Sequence, residues 1–270
     1  MDGNIEFRQS HRDHKDFTMT ISFRPLFLAA FLLLLPAAAF AENTFNDAQR
    51  KEIGDIVRQY LLENPELLLE VSKELENRQQ QAENKKRQDT LVANAREMFQ
   101  SPDDLVAGNP NGDVTMVEFF DYNCGWCKKG LPEVLSLVDK DKNVKLVLKE
   151  FPIFGGDSDY AAKAALASRK QGKYWEFHLA LLGHDGKVTS AGVDEIAVAT
   201  GLDLKQLKAD MESPEIAEIL KRNQKLAQDL AISGTPAFII DDNVVPGYLP
   251  ADGLMAAIND VRTAGGCKLC

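Results

Sequence analysis

VTMVEFFDYNCGWC, residues 114–127, sets two elements end to end. Its first seven residues are β-branched, aromatic or apolar apart from Glu118, and read as a strand. The residues that follow predict a helix over 127–138, kinked at Pro132. Cys124 and Cys127 therefore fall at a strand-to-helix junction. Two thiols at this spacing can close into a disulfide and reopen, and the partial positive charge of a helix N-terminus favours a thiolate. The chemistry implied is thiol–disulfide exchange. Cys124, first in the motif and nearest the helix end, is the candidate nucleophile, and Cys127, one turn on, is the candidate resolving thiol. Half of a zinc site is the alternative, with Cys267-Lys268-Leu269-Cys270 as the other half. Structural zinc pairs are usually about 15–20 residues apart, and this gap is far longer.

Outward from this stretch, residues 144–148 read as a second strand, completing a βαβ unit. A run of helices is predicted over 158–171, 173–182, 190–200, 204–211 and 214–230, separated mainly by glycines. Residues 237–240 and 244–245 form a hairpin around Asp241-Asp242-Asn243, and 250–262 a final helix. The order βαβ, helices, ββα describes an α/β domain with a helical insertion. Glu118 interrupts an apolar strand, where a carboxylate is costly unless it is used. Burial would raise its pKa and let it take and return the proton of Cys127. Thr235-Pro236 opens the strand at 237. A proline at a strand start is ordinary by itself. Beside an upstream C-x-x-C, a cis bond there would offer the Thr235 backbone to an extended substrate.

The N-terminal part has a different composition. Residues 26–35 are wholly apolar after Arg24 and run through Pro36 into Ala39-Phe40-Ala41, a small-x-small cleavage signal, so residues 1–41 are expected to be a secretory signal peptide. The apolar segment is shorter than the ~20 residues a membrane span needs. Asp2, Glu6, Asp13 and Asp16 are unusual in a leader, and Met19 would give a basic, compact start instead of Met1. The leader holds equal numbers of acidic and basic residues, so the exported product keeps the full net charge of −10, which argues against a nucleic-acid partner. The only four cysteines lie in two C-x-x-C pairs, a distribution suited to redox work more than to stapling a small fold. Residues 42–97 read as a helical oligomerisation region and linker. Ile53, Val57, Tyr60 and Leu61, then Leu68, Val71 and Leu75, make apolar stripes on two helices broken at Asn64-Pro65, and residues 76–89 are almost wholly polar. Two short helices cannot form a core alone, so they must pack on the main domain or on copies of themselves.

FFDYNCGWC, the KEFPIFG stretch at 149–155, the helical insertion and SGTPAFII at 233–240 together resemble the DsbA-like branch of the thioredoxin superfamily. The likeness spans roughly residues 98–262. It implies a thioredoxin-like fold with an inserted helical subdomain, a domain over 98–263, and no organic cofactor or resident metal. It also implies an attacking Cys124, a resolving Cys127, an acidic Glu118, and a cis Thr235-Pro236 loop facing the cysteines. QRKEIGDIVRQYLLENPELLLEV, residues 49–71, is similar to the N-terminal oligomerisation region of the suppressor-of-copper-sensitivity C proteins, which are periplasmic and in some members trimeric. The expected partners are then unfolded or misbridged exported proteins, a membrane redox partner, and further copies of the chain. Strong oxidases of this family carry histidine where Trp126 stands. The Gly-aromatic dipeptide, with Thr before Pro236, looks closer to disulfide isomerases and assigns Trp126 to substrate binding beside Thr235 and Pro236. Capture of copper or zinc by the two dithiols, or a chaperone role, is the reading from a different class. Residues 264–270 are expected to be a flexible tail whose Cys267 and Cys270 act as an electron relay, a soft-metal ligand or a terminal disulfide.

Overall fold

A computed structural model describes residues 45–270. The expected leader and the choice between Met1 and Met19 lie outside the described residues. The chain divides between Pro65 and Glu66 into two compact units.

The first unit contributes helix α1 (Asp47–Glu63). Asn46 and Gln49 close a capping box at its start, each side chain accepting the other's backbone N–H at 2.9 Å. None of its residues is buried, and Ile53, Ile56, Val57 and Tyr60 remain exposed.

The second unit opens with α2 (Glu66–Ala93), which carries the polar stretch 76–89 as continuous helix. Its 28 residues make a rod about 42 Å long. Leu68, Leu69, Val71 and Leu75 are exposed on its first half, whereas Leu91 near its end is fully buried. Helix α3 (Ala95–Gln100) follows and buries Met98 and Phe99. The expected boundary between residues 97 and 98 therefore falls inside a packed helix and corrects to a point upstream of Leu91.

A five-stranded sheet has the order β1-β3-β2-β4-β5, formed by β1 (Leu105–Gly108), β2 (Val114–Phe120), β3 (Val144–Glu150), β4 (Ala237–Ile240) and β5 (Asn243–Pro246). β2 and β3 run parallel, joined by α4 (Gly125–Lys140), and the other pairings are antiparallel. Helices α5 (Gly156–Ser168), α6 (Tyr174–Leu182), α7 (Ser190–Ala199), α8 (Leu204–Met211) and α9 (Pro214–Asp229) form the insertion, and α10 (Ala251–Thr263) closes the domain. The mixed sheet with helices on both faces is a thioredoxin-like, DsbA-type fold. Because strand side chains alternate, β2 feeds two cores. Met116 and Phe120 pack with Leu146, Phe238 and the insertion, while Val117 and Phe119 pack with Val147, Phe99, Leu226 and Ile239.

The end of β3 and the C-terminal segment also depart from the sequence reading. β3 continues through Lys149 and Glu150, both buried, because Lys149 pairs with Asp104 at 2.5 Å and Glu150 accepts from two tyrosines. The C-terminal segment is not a flexible tail. Lys268 and Leu269 each donate a backbone N–H to Asp241 Oδ1 at 2.8 Å, Gln100 donates its side-chain amide to the Cys270 carbonyl, and Leu269 and Cys270 pack on the second core. One buried carboxylate thus anchors two consecutive amides.

Candidate active site

Cys124 is the N-cap of α4, with extended backbone angles, and its Sγ accepts the N–H of Cys127 at 3.3 Å. A side chain at this point meets the unpaired N–H groups of the first helical turn. On its other side the thiol donates to the Thr235 carbonyl at 3.1 Å. The Thr235–Pro236 bond is cis. The pKa of Cys124 is lowered to about 6, chiefly by the Cys127 thiol, then by the Thr235 side chain and the N–H groups of Cys127 and Trp126, with burial opposing. Cys127 is fully buried, and burial, the Cys124 sulfur and the Glu118 charge push its thiol far up. Both are free thiols.

Glu118 lies on the β2 face that also carries Met116 and Phe120, with Leu148 and Phe238 as its cross-strand partners. It is 4 % exposed, and its pKa rises to about 8, first through burial and second through the charge of Cys124. One negative charge is therefore favoured over two at neutral pH, on Cys124 with Glu118 protonated.

Trp126 is 55 % exposed, 5.5 Å from the ring of Tyr248, with Lys129 Nζ 4.7 Å from the Trp126 ring and 5.1 Å from that of Tyr248. Ile153 and Phe154 add exposed apolar surface on the loop after β3. Of these apolar residues the sequence reading assigns only Trp126 to the site, because Tyr248 lies far away in the chain and bears no motif and Phe154 is read only as part of the 149–155 stretch.

Asp121 was missed and holds the entry to the site. Its Oδ1 accepts from the Asn123 N–H and the Ser158 hydroxyl, both at 2.7 Å, and its Oδ2 from the N–H groups of Ile153 and Phe154. The signal available was an acidic residue three positions before Cys124, too common to single out. Asn123 pairs reciprocally with the Val188 backbone, and Lys128 Nζ reaches the carbonyls of His184 and Gly186. Behind the loop, Tyr122 and Tyr174 donate to Glu150 Oε1, while Tyr122 also meets His178 Nδ1 at 3.1 Å. His178 is buried and its pKa falls to about 3, so it stays neutral, and His184 is an exposed loop residue.

The second pair is elsewhere. Cys267 and Cys270 are bonded to each other, and Thr115 at the start of β2 donates its N–H to Cys270 Sγ at 3.1 Å. Cys124 follows the opposite end of β2, so at ~3.3 Å per residue at least about 17 Å of strand separates the two centres. They do not form one four-cysteine site, and among the described residues no group of three or more His, Cys, Asp or Glu is arranged to hold a metal ion.

Residues 115–259 match the family model of the DSBA-like thioredoxin domain, and residues 49–82 match that of the copper resistance protein ScsC N-terminal domain. A thioredoxin-like oxidoreductase from Silicibacter pomeroyi is 49 % identical, with 63 % of this chain and 98 % of that one covered and a TM-score of 0.62. Salmonella enterica Typhimurium BcfH is 31 % identical over 78 % of this chain and 95 % of its own, with a TM-score of 0.63. A probable disulfide bond formation protein D of Bacillus cereus is 30 % identical, covering 55 % of this chain and 74 % of the relative. The chain also matches a Na(+)/H(+) antiporter NhaA 1 of Salinispora arenicola at 30 % identity but spans only 24 % of that protein's length. With its sheet order, its helical insertion, the Cys124 junction and a matching model over more than half its length, the chain belongs to the DsbA-like thioredoxin family.

Proposed function

We propose that the protein is an exported thiol–disulfide oxidoreductase that acts on misbridged proteins as a disulfide isomerase. The observation that carries this is Cys124, a thiol at a helix N-terminus with its pKa lowered to about 6, beside the Thr235 carbonyl. The Cys124 thiolate attacks a client disulfide and one client sulfur leaves as thiolate; that thiolate attacks a second client disulfide, and the sulfur freed there attacks the client sulfur bonded to Cys124, which leaves as thiolate. Cys127 supplies the escape: it attacks Cys124 Sγ, the client departs reduced, and the Cys124–Cys127 disulfide is left for a membrane dithiol partner to reduce.

Escape needs the Cys127 proton removed. Once Cys124 is bonded to the client its charge is gone, and with it the second cause of the raised Glu118 pKa. Glu118 then ionises more readily and accepts the Cys127 proton. An extended client lies along the Thr235-Pro236 backbone, with apolar side chains on Trp126, Tyr248 and Phe154.

Three sequence features support the finer reading. Trp126 stands where oxidases of the family have the thiolate-stabilising histidine, and without that partner the Cys124–Cys127 disulfide is a weaker oxidant than theirs. The exposed stripes Ile53, Val57 and Tyr60 of α1 and Leu68, Val71 and Leu75 of α2 are apolar faces suited to packing between copies, a trimer included. The apolar run at 26–35 with its small-residue cleavage signal supports export to the periplasm.

The test is reactivation of scrambled ribonuclease by chain 42–270 beside a truncation beginning at Ala82, which keeps Leu91 and α3. Reactivation by the longer chain alone, with a larger mass in solution, is the expected result. If neither reactivates the scrambled enzyme while both oxidise a reduced peptide, the isomerase reading fails and an oxidase remains.

A further inference from the structure

The exchange chemistry at Cys124 leaves the C-terminal Cys267-Lys268-Leu269-Cys270 unused. Its two sulfurs are bonded, with Cα atoms 5.6 Å apart, and both residues are partly exposed. Closing a four-residue loop restrains little of the unfolded chain, so stapling is a weak reason for this bond. The bond does shape a tight turn that aims the N–H groups of Lys268 and Leu269 at the same oxygen, Asp241 Oδ1, each at 2.8 Å. Asp241 is 4 % exposed and takes positive φ (54°) in the turn between β4 and β5.

The two sulfurs sit in unlike fields. Cys270 Sγ faces the Thr115 N–H at 3.1 Å, and Cys267 Sγ lies 3.5 Å from the Asp241 carboxylate. In thiol–disulfide exchange the negative charge resides mainly on the attacking and leaving sulfurs. Charge leaving on Cys270 meets a donor, whereas charge leaving on Cys267 meets a carboxylate.

We propose that Cys267 and Cys270 are a second thiol–disulfide centre, opened by dithiol reductants, with Cys267 the sulfur attacked and Cys270 the sulfur that leaves, and that opening releases the tail from Asp241. A reductant thiolate bonds to Cys267 Sγ, the Cys267–Cys270 bond breaks, and its electron pair goes to Cys270 Sγ, held by the Thr115 N–H until water protonates it. The reductant's second thiolate attacks its own sulfur in the mixed disulfide, Cys267 leaves and takes a proton, and the reductant departs as a disulfide. Two electrons pass to the tail. Because docking favours the closed pair, closure and docking reinforce each other. The length of β2 keeps the docked tail from exchanging with Cys124 of the same chain.

The test equilibrates the full chain with reduced and oxidised dithiothreitol, quenches with acid, and maps alkylated cysteines after trypsin. Cleavage after Arg262 and Lys268 puts Cys267 and Cys270 on separate peptides, apart from Cys124 and Cys127. The tail pair is expected to open in one two-electron transition, with hydrogen exchange at the Leu269 amide rising at least about tenfold on opening. Asp241→Asn keeps a residue that tolerates positive φ and should shift the equilibrium about tenfold toward the dithiol, ~30 mV. A brief pulse of glutathione, a monothiol, should leave its adduct on Cys267. An adduct on Cys270, equal Leu269 exchange in both redox forms, or a midpoint unmoved by Asp241→Asn would each overturn the proposal. The first two readouts need no variant.

Discussion

Cys124–Cys127 and Cys267–Cys270 have the same spacing in one chain and opposite surroundings. The first pair begins a 16-residue helix, with one sulfur capping it and the other sealed beneath. The second pair follows the end of α10, after Gly265-Gly266, and is gripped from outside by Asp241, Gln100 and Thr115. One pair is open as thiols and the other closed. Two intervening residues permit a disulfide, and the groups around the sulfurs decide how it behaves. A helix end and a neighbouring thiol favour a thiolate at Cys124, while a carboxylate 3.5 Å away disfavours one at Cys267.

The contrast is broken most directly by removing one sulfur at a time. Cys124→Ala should abolish ribonuclease reactivation, while Cys267→Ala and Cys270→Ala keep it within about twofold, as expected of sites too far apart to share a reaction. Equal losses would mean that the two pairs work as one centre. Glu118→Gln removes the proton acceptor and should slow escape about 10²-fold, the low end for general-base catalysis. The readout is build-up of the client mixed disulfide on a gel without reductant, and an unchanged lifetime would assign Glu118 no part in escape. Trp126→His should make the Cys124–Cys127 disulfide more oxidising by about tenfold in equilibrium constant, ~30 mV, read against glutathione. No shift would mean that other groups set the potential.

The pH dependence sharpens the same comparison. With a pKa of about 6, Cys124 should lose about tenfold in alkylation rate between pH 7 and 5 as the thiolate is protonated. Its folded pKa lies below that of an unfolded thiol. The stabilisation it gives the reduced protein is thus present above the unfolded value and is lost as pH falls through about 6. Glu118 has the opposite sign. Its raised pKa costs stability as pH climbs from the unfolded carboxylate value toward about 8, so Glu118→Gln should raise the alkaline denaturation midpoint while leaving the acid limb unchanged. A Cys124 profile centred near 8.5, the ordinary thiol value, would remove the distinction between the pairs.

The helices of the insertion and the strand before Cys124 were legible because their apolar residues repeat at helical or strand spacing over a full element. β1 was not. It has four residues, alternates partly buried with exposed positions, and is held by pairing to β3, which no local pattern records. Lys149 and Glu150 hid the end of β3, since charge argues for surface until the partners Asp104, Tyr122 and Tyr174 are brought in from distant sequence. At the site, Cys124, Cys127 and Glu118 stood out as reactive or costly residues. Asp121, Lys129 and Tyr248 act through geometry alone. The docked C-terminus escaped for the same reason, because Asp241 read as a turn residue and gave no sign of the amides it receives.

Asp121 carries a consequence for which clients the site accepts. Four donors on one carboxylate tie Asn123, next to Cys124, to Ile153, Phe154 and Ser158 before any client arrives. The enzyme then has little disorder to surrender on binding, and the loss of conformational freedom falls on the client, whose chain must straighten beside Thr235. A loose chain can straighten at modest entropic cost, but a folded one must first lose the cooperativity of its own structure. On the proposed function, a site held in place this way favours clients that are not yet folded.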